Sequence, residues 1–328
     1  MTDGYGREID YLRISLTDKC NLRCSYCMPR EGIRHIEHKD ILTLEETGRL
    51  AHIMSELGIN RVRLTGGEPL VRRGVTDLIR ILRAECGLNE ISMTSNGLLL
   101  AECAGELYDA GLTDINISLD TLREECFSYI TGYDGRGLKC VLDGIDSAIE
   151  AGLRIKLNCV LMKGINEEDI IPLTEYAADK EVRIRFIELM PIGCAGRFER
   201  ISTDDLIGRL EEKYGLPTPV PDSMKAYDKG PAEYYTFQEY SGQIGFISPI
   251  SHKFCDSCRR VRLTAEGFLK LCLQYPDGVD LKTPMRSGVK DEELKKLMID
   301  AVRGKPAAHS FDTSRGNTDK RRMVEIGG

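Results

Sequence analysis

The stretch "TDKCNLRCSYCMPR" (residues 17–30) contains Cys20, Cys24 and Cys27 in a Cys-x3-Cys-x2-Cys spacing. A structural zinc site or a fully protein-ligated iron-sulfur cluster needs four protein ligands. No further cysteine or histidine follows until His35. The spacing therefore predicts a metal centre with one position left open for something that is not protein.

The composition is that of a globular chain that can bury one large core, or a core plus a smaller appended unit. The chain has 328 residues, of which 41% are hydrophobic. Its amino terminus, "MTDGYGREID", lacks the basic and apolar regions of a signal peptide. No apolar run approaches the roughly 18 residues of a membrane span. We therefore expect a cytoplasmic protein that has no membrane partner.

The cysteines and the net charge narrow the classes of partner. In a reducing compartment the twelve cysteines are expected as thiols, with the clustered ones binding metal and the scattered ones packing in the core. The net charge of −7 argues against nucleic acid as a partner. It still permits a local basic pocket for a small anion.

Six short runs rich in β-branched residues alternate with helical patterns along the first 190 or so residues. The runs are "YLRISLT", "RVRLTG", "ISMTSN", "DINISLD", "RIKLNCVLM" and "VRIRFIELM". The first connecting helix opens with a capping box formed by Thr43 and Glu46. Strand, helix, strand in succession predicts parallel pairing, so this region is interpreted as a (βα)6 array.

The predicted strands alternate between polar and apolar residues, which is unusual for parallel strands covered by helices. The polar members are Arg13, Ser15 and Thr17; Arg61, Arg63 and Thr65; Ser92, Thr94 and Asn96; Asn116, Ser118 and Asp120; Lys156 and Asn158; and Arg183 and Arg185. A closed eight-stranded barrel fills its interior with branched apolar side chains. We therefore predict an incomplete, open (βα)6 TIM-like barrel with a polar lumen; the alternative is a sheet with one solvated face.

Directly after the second strand lies "TGGEPL", residues 65–70. Its two glycines allow the backbone to approach a ligand closely and to present amide donors. At the carboxyl end of a strand, beside the cysteines, it is interpreted as a ligand-binding loop, with a plain turn as the alternative.

A second set of three cysteines lies near the other end of the chain. Cys255, Cys258 and Cys272 follow a Cys-x2-Cys-x13-Cys spacing, and "VRLTAEGFLKL" is typical of a hairpin that turns at Glu266-Gly267. A zinc site completed by His252 or by a distant cysteine is one interpretation. Together, the two triplets favour two cubane clusters, each with one iron open to a ligand that is not protein.

The motifs resemble those of known enzymes. Cys-x3-Cys-x2-Cys with an aromatic residue before the third cysteine, followed by a GGEP-type loop, resembles the radical S-adenosylmethionine enzymes. Nearly the whole chain is also similar to the GTP 3',8-cyclase family, in "RISLTDKCNLRCSYCMP", "RLTGGEPLVRR", "SNGLLL", "NISLD", "RFIELMPIG", "CDSCRRVRLTAEGFLKLCL" and "MVEIGG". Two alternatives are another radical S-adenosylmethionine enzyme with an auxiliary cluster, such as a peptide-modifying dehydrogenase, and a non-enzymatic iron-sulfur electron carrier.

The resemblance to this lyase family implies a reaction and two 4Fe-4S clusters. Cys20, Cys24 and Cys27 would hold the first cluster, and Cys255, Cys258 and Cys272 would hold the second. A 5'-deoxyadenosyl radical from S-adenosylmethionine would remove hydrogen from C3' of the GTP ribose. The sugar radical would then attack C8 of guanine, giving (8S)-3',8-cyclo-7,8-dihydroguanosine 5'-triphosphate, the first step of molybdenum cofactor biosynthesis.

The resemblance also implies roles for individual residues. Contacts with S-adenosylmethionine are expected from Tyr26, Gly67, Ser118 and Met190. Contacts with GTP are expected from Arg13, Arg63, Thr94, Lys156, Arg185, Arg260 and Arg262, and the guanine would meet the second cluster. Arg13, Arg260, Arg262, Gly327 and Gly328 are expected to act in catalysis, since a Gly-Gly tail can enter a narrow lumen and meet the arginines.

Organisation and partners complete these expectations. Residues 5–220 would form the barrel core, and residues 221–328 an auxiliary-cluster region with the Gly-Gly tail. A flavodoxin-like or ferredoxin-like protein would supply electrons to a monomer or homodimer, and the product would pass to cyclic pyranopterin monophosphate synthase. Arg61 stands where many relatives have lysine, whereas Arg200 and His309 are interpreted as surface or packing residues.

Overall fold

A computed structural model describes residues 1–221, 230–311, 319 and 321–327. Six parallel strands lie side by side in chain order and match the six predicted runs. They are β1 (Tyr11–Ser15), β2 (Arg61–Thr65), β3 (Glu90–Ser95), β4 (Asp114–Ser118), β5 (Arg154–Leu161) and β6 (Arg183–Glu188). The (βα)6 prediction is therefore confirmed.

Helices connect these strands and cover the apolar face of the sheet. They are α1 (Leu44–Glu56), α2 (Val75–Ala84), α3 (Ala104–Ala110), α4 (Glu124–Thr131), α5 (Gly137–Glu150) and α6 (Ile170–Asp179). Short 3-10 helices lie at His38–Asp40, Pro69–Val71, Leu100–Glu102, Glu167–Asp169 and Gly193–Arg197. The predicted capping box of α1 is present, because the Glu46 amide donates to Thr43 Oγ1 at 3.1 Å and the Thr43 amide donates to Glu46 Oε2 at 2.8 Å.

The rest of the chain extends both edges of the same sheet. Its elements are α7 (Thr203–Tyr214), β7 (Pro217–Pro219), β8 (Glu233–Phe237), β9 (Tyr240–Ile247), β10 (Arg260–Leu263), β11 (Phe268–Lys270), β12 (Gly278–Asp280), α8 (Lys282–Arg286), α9 (Asp291–Arg303) and α10 (Met323–Ile326). Strand β9 pairs with β6 and β10 pairs with β1, both in parallel. The sheet order is linear, from β12 to β7, so the barrel is open.

The predicted hairpin after the second cysteine pair is confirmed. Strands β10 and β11 are antiparallel, with Arg262 opposite Lys270. Gly267 lies in the turn with a φ of 80°, and its amide donates to the Thr264 carbonyl at 2.9 Å. Glycine adopts this left-handed conformation without a steric penalty.

Both faces of the central sheet are buried, for different reasons. The apolar side chains of the strands, such as Leu12 and Val62, pack under the helices in one continuous core. The polar face is also buried, since Arg185 is 2% exposed and Lys156 is 6% exposed. The alternative of a sheet with one solvated face is therefore wrong, and the polar side chains line a lumen.

Arg61 on the lumen side of β2 forms a buried ion pair with a carboxylate. Its Nη2 donates to Asp10 Oδ1 at 2.7 Å, and the two side chains are only 9% and 12% exposed. The guanidinium also stacks over the Tyr11 ring at 5.1 Å. Arg61 thus stabilises the amino-terminal end of β2 through its contacts with Asp10 and Tyr11.

We expect Asp10→Asn to lower the free energy of unfolding by about 3 kcal/mol, because it leaves the buried Arg61 cation without its carboxylate. Urea denaturation followed by circular dichroism measures this change. The matched control is Asp77→Asn, which breaks an exposed pair with Arg80 and should cost less than about 1 kcal/mol. Equal losses in the two variants would contradict the assignment of a structural role to the Asp10 pair.

Within the described parts of the chain, no helix is both long enough and apolar enough to cross a membrane.

Candidate active site

One cavity of about 370 Å³ lies at the carboxyl ends of the parallel strands and continues into the polar lumen. It is lined by nearly all of the sequence-predicted site residues. These are Arg13, Cys20, Cys24, Tyr26, Cys27, Arg63, Gly67, Thr94, Ser118, Lys156, Arg185, Met190, Cys255, Cys258, Arg260, Arg262 and Cys272. The two cysteine sets, more than 220 residues apart in sequence, therefore share one chamber.

The first cysteine set lies on the loop after β1. The amides of Cys27 and Met28 both donate to the Cys24 carbonyl, at 2.9 and 3.0 Å, and this turn brings the second and third thiols together. The Leu22 amide donates to Cys20 Sγ at 3.4 Å. Three thiols presented by one short loop match the donor set of a cluster with an open iron.

Burial governs the ionisation of these thiols. It raises the pKa of Cys20 to about 11 and that of Cys27 to about 12, and in each case a neighbouring negative charge adds to the effect. Burial and the charges of Cys27 and Asp120 likewise raise the pKa of Cys24. Thiolates are the metal-binding form, so such a group is stabilised by a bound cationic centre.

The glycine loop after β2 packs directly against the cysteine loop. The Gly67 amide donates to the Thr17 carbonyl at 2.6 Å, and a Cβ at Gly67 would lie 2.3 Å from the Lys19 carbonyl oxygen. Only glycine fits this close approach of two backbones. The two loops are thus tied together through their backbones, and Gly67 lines the cavity beside the cysteines.

Glu68, which follows the two glycines, is a site residue that the sequence interpretation missed. Its carboxylate accepts hydrogen bonds from the Asn96 amide at 2.7 Å and from Ser95 Oγ at 2.9 Å. Burial raises the pKa of Glu68 to about 7, although these donors favour the charged form. The carboxylate ties β3 to the glycine loop at the rim of the cavity.

Asp120 was predicted on the polar face of the fourth strand but without a specific role, and it fixes the predicted Tyr26. The Tyr26 hydroxyl donates to Asp120 Oδ2 at 2.8 Å, and the Val160 amide donates to Asp120 Oδ1 at 2.8 Å. Burial raises the pKa of Asp120 to about 6. The pair joins the cysteine loop to the carboxyl ends of β4 and β5, beside Ser118.

The second cysteine set has a more cationic environment than the first. Burial alone would raise the pKa of Cys258, but the positive charges of Arg260 and Lys305 lower it to about 7. Lys305 is 3% exposed and donates through Nζ to the Leu271 carbonyl at 2.5 Å, beside Cys272. No sequence motif indicates Lys305, which is 33 residues beyond the last thiol.

The two histidines that were considered near the second cysteine set have different surroundings. His252, offered above as a zinc ligand, lies at the surface with Nε2 3.1 Å from Asp204 Oδ1 and does not line the cavity. His309 does line it, and its amide donates to Cys255 Sγ at 3.5 Å. Its interpretation as a surface or packing residue therefore missed a neighbour of the cysteine set.

Three arginines form a row across neighbouring strands. Arg13 on β1 lies in register with Arg63 on β2 and with Arg262 on β10. Burial, the charge of Arg262 and then that of Arg63 lower the pKa of Arg13 well below its usual range. Like charges opposite one another on a sheet repel, so the row favours a bound anion.

The remaining predicted polar residues are held by neighbours on the same sheet. Arg63 Nε donates to Ser92 Oγ at 3.0 Å, and Arg185 Nε donates to Asn158 Oδ1 at 2.9 Å. Lys156 Nζ donates to Asp114 Oδ1 at 3.1 Å. Donors held in this way by rigid strands suit electrostatic recognition of a ligand that is negatively charged.

The carboxyl-terminal segment enters the lumen. Gly327 has a φ of 74°, and its carbonyl accepts a hydrogen bond from Arg262 Nη1 at 2.5 Å. A Cβ at this position would lie 2.7 Å from Thr65 Oγ1, so a side chain would crowd β2. Gly328 lies outside the described residues.

Glu188, at the end of β6, lines the cavity and binds the chain segment that precedes the second cysteine set. It is 4% exposed and accepts from Arg200 Nη1 at 2.7 Å and from the Ser251 amide at 2.9 Å. Arg200 was interpreted as an ordinary surface cation, but its guanidinium compensates this buried carboxylate.

Comparisons with known proteins identify the family. A family model described as Radical SAM superfamily matches residues 14–177, and one described as Molybdenum Cofactor Synthesis C matches residues 182–311. The GTP 3',8-cyclase of Peptoclostridium acidaminophilum is 46% identical over 334 aligned residues, which cover 100% of this chain and 98% of the relative. The chain belongs to the GTP 3',8-cyclase family.

Further matches agree with this assignment. The GTP 3',8-cyclase of Syntrophomonas wolfei is 45% identical over 333 residues, with 100% of both chains covered. Among solved structures, SuiB of Streptococcus suis bound to S-adenosylmethionine has a TM-score of 0.61 at 17% identity and covers 90% of this chain and 68% of that chain. This likeness supports the radical S-adenosylmethionine fold predicted above.

Proposed function

We propose that this member of the GTP 3',8-cyclase family converts GTP into (8S)-3',8-cyclo-7,8-dihydroguanosine 5'-triphosphate within the cavity between the two cysteine sets. The observation that carries the proposal is the convergence of both triplets and the arginine row on one chamber. A GTP molecule needs a site that is cationic at one end and enclosed where a radical reaction takes place.

The donor sets suit the cofactors of the family. Cys20, Cys24 and Cys27 would hold one 4Fe-4S cluster, and Cys255, Cys258 and Cys272 would hold the other. When bound, the first cluster supplies the electron that cleaves S-adenosylmethionine, which generates the species that takes hydrogen from the GTP ribose. The chain's own residues bind and orient the two reactants around this chemistry.

Four residues are proposed to contact S-adenosylmethionine. Tyr26 is held by Asp120 at 2.8 Å, so its position beside the cysteine loop is fixed before the ligand binds. Gly67 offers a bare backbone next to the same loop. Ser118 and Met190 line the cavity from the ends of β4 and β6. They would orient the ligand toward the lumen.

The strands are proposed to bind GTP. Arg13, Arg63 and Arg262 would bind triphosphate oxygens through planar guanidinium groups, and their mutual repulsion would be relieved by the bound anion. Lys156 and Arg185 face the same cavity. Thr94 lines the wall between the two groups, and Arg260 lies beside the second cysteine set.

The Gly-Gly tail is proposed to complete the arginine cluster for cyclisation. The hydrogen bond from Arg262 to the Gly327 carbonyl places the tail against one member of that cluster. In this proposal the tail orders Arg262, Arg13 and Arg260 around the reacting nucleotide.

The resemblance to the family also supports proposals for the protein partners and for a domain boundary. A flavodoxin-like or ferredoxin-like protein would supply electrons, and cyclic pyranopterin monophosphate synthase would take the product. A division at residues 220 and 221 would separate the barrel core from strands β8–β12, which join both edges of the sheet.

GTP deuterated at C3' tests the reaction. With S-adenosylmethionine and a reductant under anaerobic conditions, we expect deuterium in 5'-deoxyadenosine and a cyclised triphosphate, both measured by mass spectrometry. GTP deuterated at C2' is the control and should transfer no label. Labelled 5'-deoxyadenosine from the C2' substrate, or unlabelled 5'-deoxyadenosine from the C3' substrate, would refute the proposed abstraction.

A further inference from the structure

A buried ion pair outside the cavity joins the carboxyl-terminal segment to the sheet. Asp319 Oδ2 accepts a hydrogen bond from Lys270 Nζ, and the two side chains are 4% and 0% exposed. Lys270 Nζ also donates to the Tyr275 carbonyl. A buried cation and a buried carboxylate are both costly to leave unpaired, so each strongly favours the position of the other.

Two further contacts hold Asp319 at this position. Arg321 Nη2 donates to Asp319 Oδ2 at 2.9 Å, and its guanidinium lies 5.1 Å from the centre of the Phe268 ring. The Asp319 amide donates to the Gln274 carbonyl at 3.3 Å. Asp319 is thus bound through its side chain and its backbone to the hairpin of β10 and β11, taken with the connection that follows it (residues 260–275).

That hairpin also carries the third thiol of the second set. Lys270 is the last residue of β11, and Cys272 follows two residues later. On the neighbouring strand β10, Arg262 lies directly opposite Lys270. One hairpin therefore presents a cluster ligand, the arginine that meets the tail, and the lysine that holds Asp319.

The chain leads from Asp319 into the lumen within a few residues. The Arg322 amide donates to Glu325 Oε2 at 2.7 Å and starts the short helix α10. Val324 and Ile326 are each 1% exposed, and Val324 lines the cavity. Gly327 then meets Arg262. An anchor at Asp319 limits the positions that residues 321–327 can reach, because each residue spans at most about 3.5 Å.

We propose that Asp319 and Lys270 are positioning residues for the reaction, because their buried ion pair anchors residues 321–327 to the hairpin of Cys272 and thereby holds Gly327 at Arg262. This inference rests on the proposed role of the tail. It adds a physical link between the tail and the second cysteine set, because the hairpin that holds Asp319 also carries Cys272.

Hydrogen-deuterium exchange of the reconstituted enzyme tests the anchor directly. We expect Asp319→Asn to increase amide exchange across residues 323–327 by at least about tenfold, because the buried Lys270 cation loses its carboxylate. Iron should stay at about eight atoms per chain, and uncoupled 5'-deoxyadenosine formation should persist. Cyclised product per 5'-deoxyadenosine should fall by about tenfold or more.

Two other variants make the test decisive. Lys270→Met should increase exchange in the same segment, whereas Asp300→Asn is the control, since it breaks an exposed pair with Arg303 and should leave exchange and product unchanged. Wild-type exchange in both Asp319→Asn and Lys270→Met would overturn the proposal. A fall in iron to about four atoms in Asp319→Asn would also overturn it, since the pair would then stabilise the cysteine hairpin itself. If the wild-type enzyme made no cyclised product, the proposed function would fail while the exchange result still decided the anchor.

Discussion

Changing Cys20, Cys24 and Cys27 together to alanine should lower the iron of the anaerobically reconstituted protein from about eight to about four atoms per chain, and abolish formation of 5'-deoxyadenosine. The reason is that these three thiols share one loop, and the other described cysteines that line the cavity, Cys255, Cys258 and Cys272, belong to the second set. Iron and sulfide analysis, together with electron paramagnetic resonance of the reduced protein, measures the loss.

The matched control changes Cys103, Cys126 and Cys140 to alanine, since none of these thiols lines the cavity. It should retain both clusters and full turnover. Stoichiometric zinc with little iron in the parent protein would contradict the cluster assignment. Loss of iron from the control equal to that from the first triplet would show that general destabilisation, and not ligand removal, lowers the iron content.

Much of the barrel could be predicted because its signal is local. A strand that alternates Arg, Ser or Thr with Leu, Ile or Val has one polar face whatever lies next to it, and six such strands in succession imply a shared polar interior. This alternation placed Arg13 and Arg63 on the predicted polar face, whereas the contacts of Arg13, Arg63 and Arg262 with GTP were expected from the resemblance to the family. Their arrangement in a single row required the strand order, since β10 joins β1 across almost 250 residues of sequence.

The residues whose roles were not predicted have in common that their partners are distant in sequence. Asp120 acts through Tyr26, and Glu188 acts through Ser251. Lys305 affects the pKa of Cys258 from the loop after α9. A single carboxylate or lysine in sequence is more often a solvated surface group, so only its partner reveals its role. The placement of β9 and β10 on opposite edges of the sheet escaped prediction for the same reason.

The arginine row is proposed to bind the triphosphate in place of a dedicated phosphate-binding loop. Burial and the charge of Arg260 lower the pKa of Arg262 to about 10, although the charge of Cys272 opposes them. Arg13 lies between Arg262 and Arg63, where both neighbours repel it. In this proposal a bound polyanion relieves the repulsion between the guanidinium groups, and the arginines of the strands supply the favourable binding energy.

Deleting Gly327 and Gly328 should lower the rate of cyclised product by roughly a hundredfold, because misplacing a group at the reacting nucleotide by about 1 Å costs that much. Arg262 would lose the carbonyl that accepts from its Nη1 at 2.5 Å, and a buried guanidinium would turn toward another partner. Both cysteine sets lie elsewhere on the chain, so iron content and uncoupled cleavage of S-adenosylmethionine should stay at the parent values.

A single methyl group provides the sharper form of this test. Gly327→Ala places a Cβ 2.7 Å from Thr65 Oγ1 at a backbone φ of 74°, so it strains the tail without removing it and should reproduce part of the loss. Gly105→Ala is the control, since no atom lies within 4 Å of the new Cβ and the residue belongs to the helix α3. Product and 5'-deoxyadenosine measured in the same reaction separate the two effects. A truncated enzyme that cyclised GTP at the parent rate would show that Arg262 is positioned without the tail.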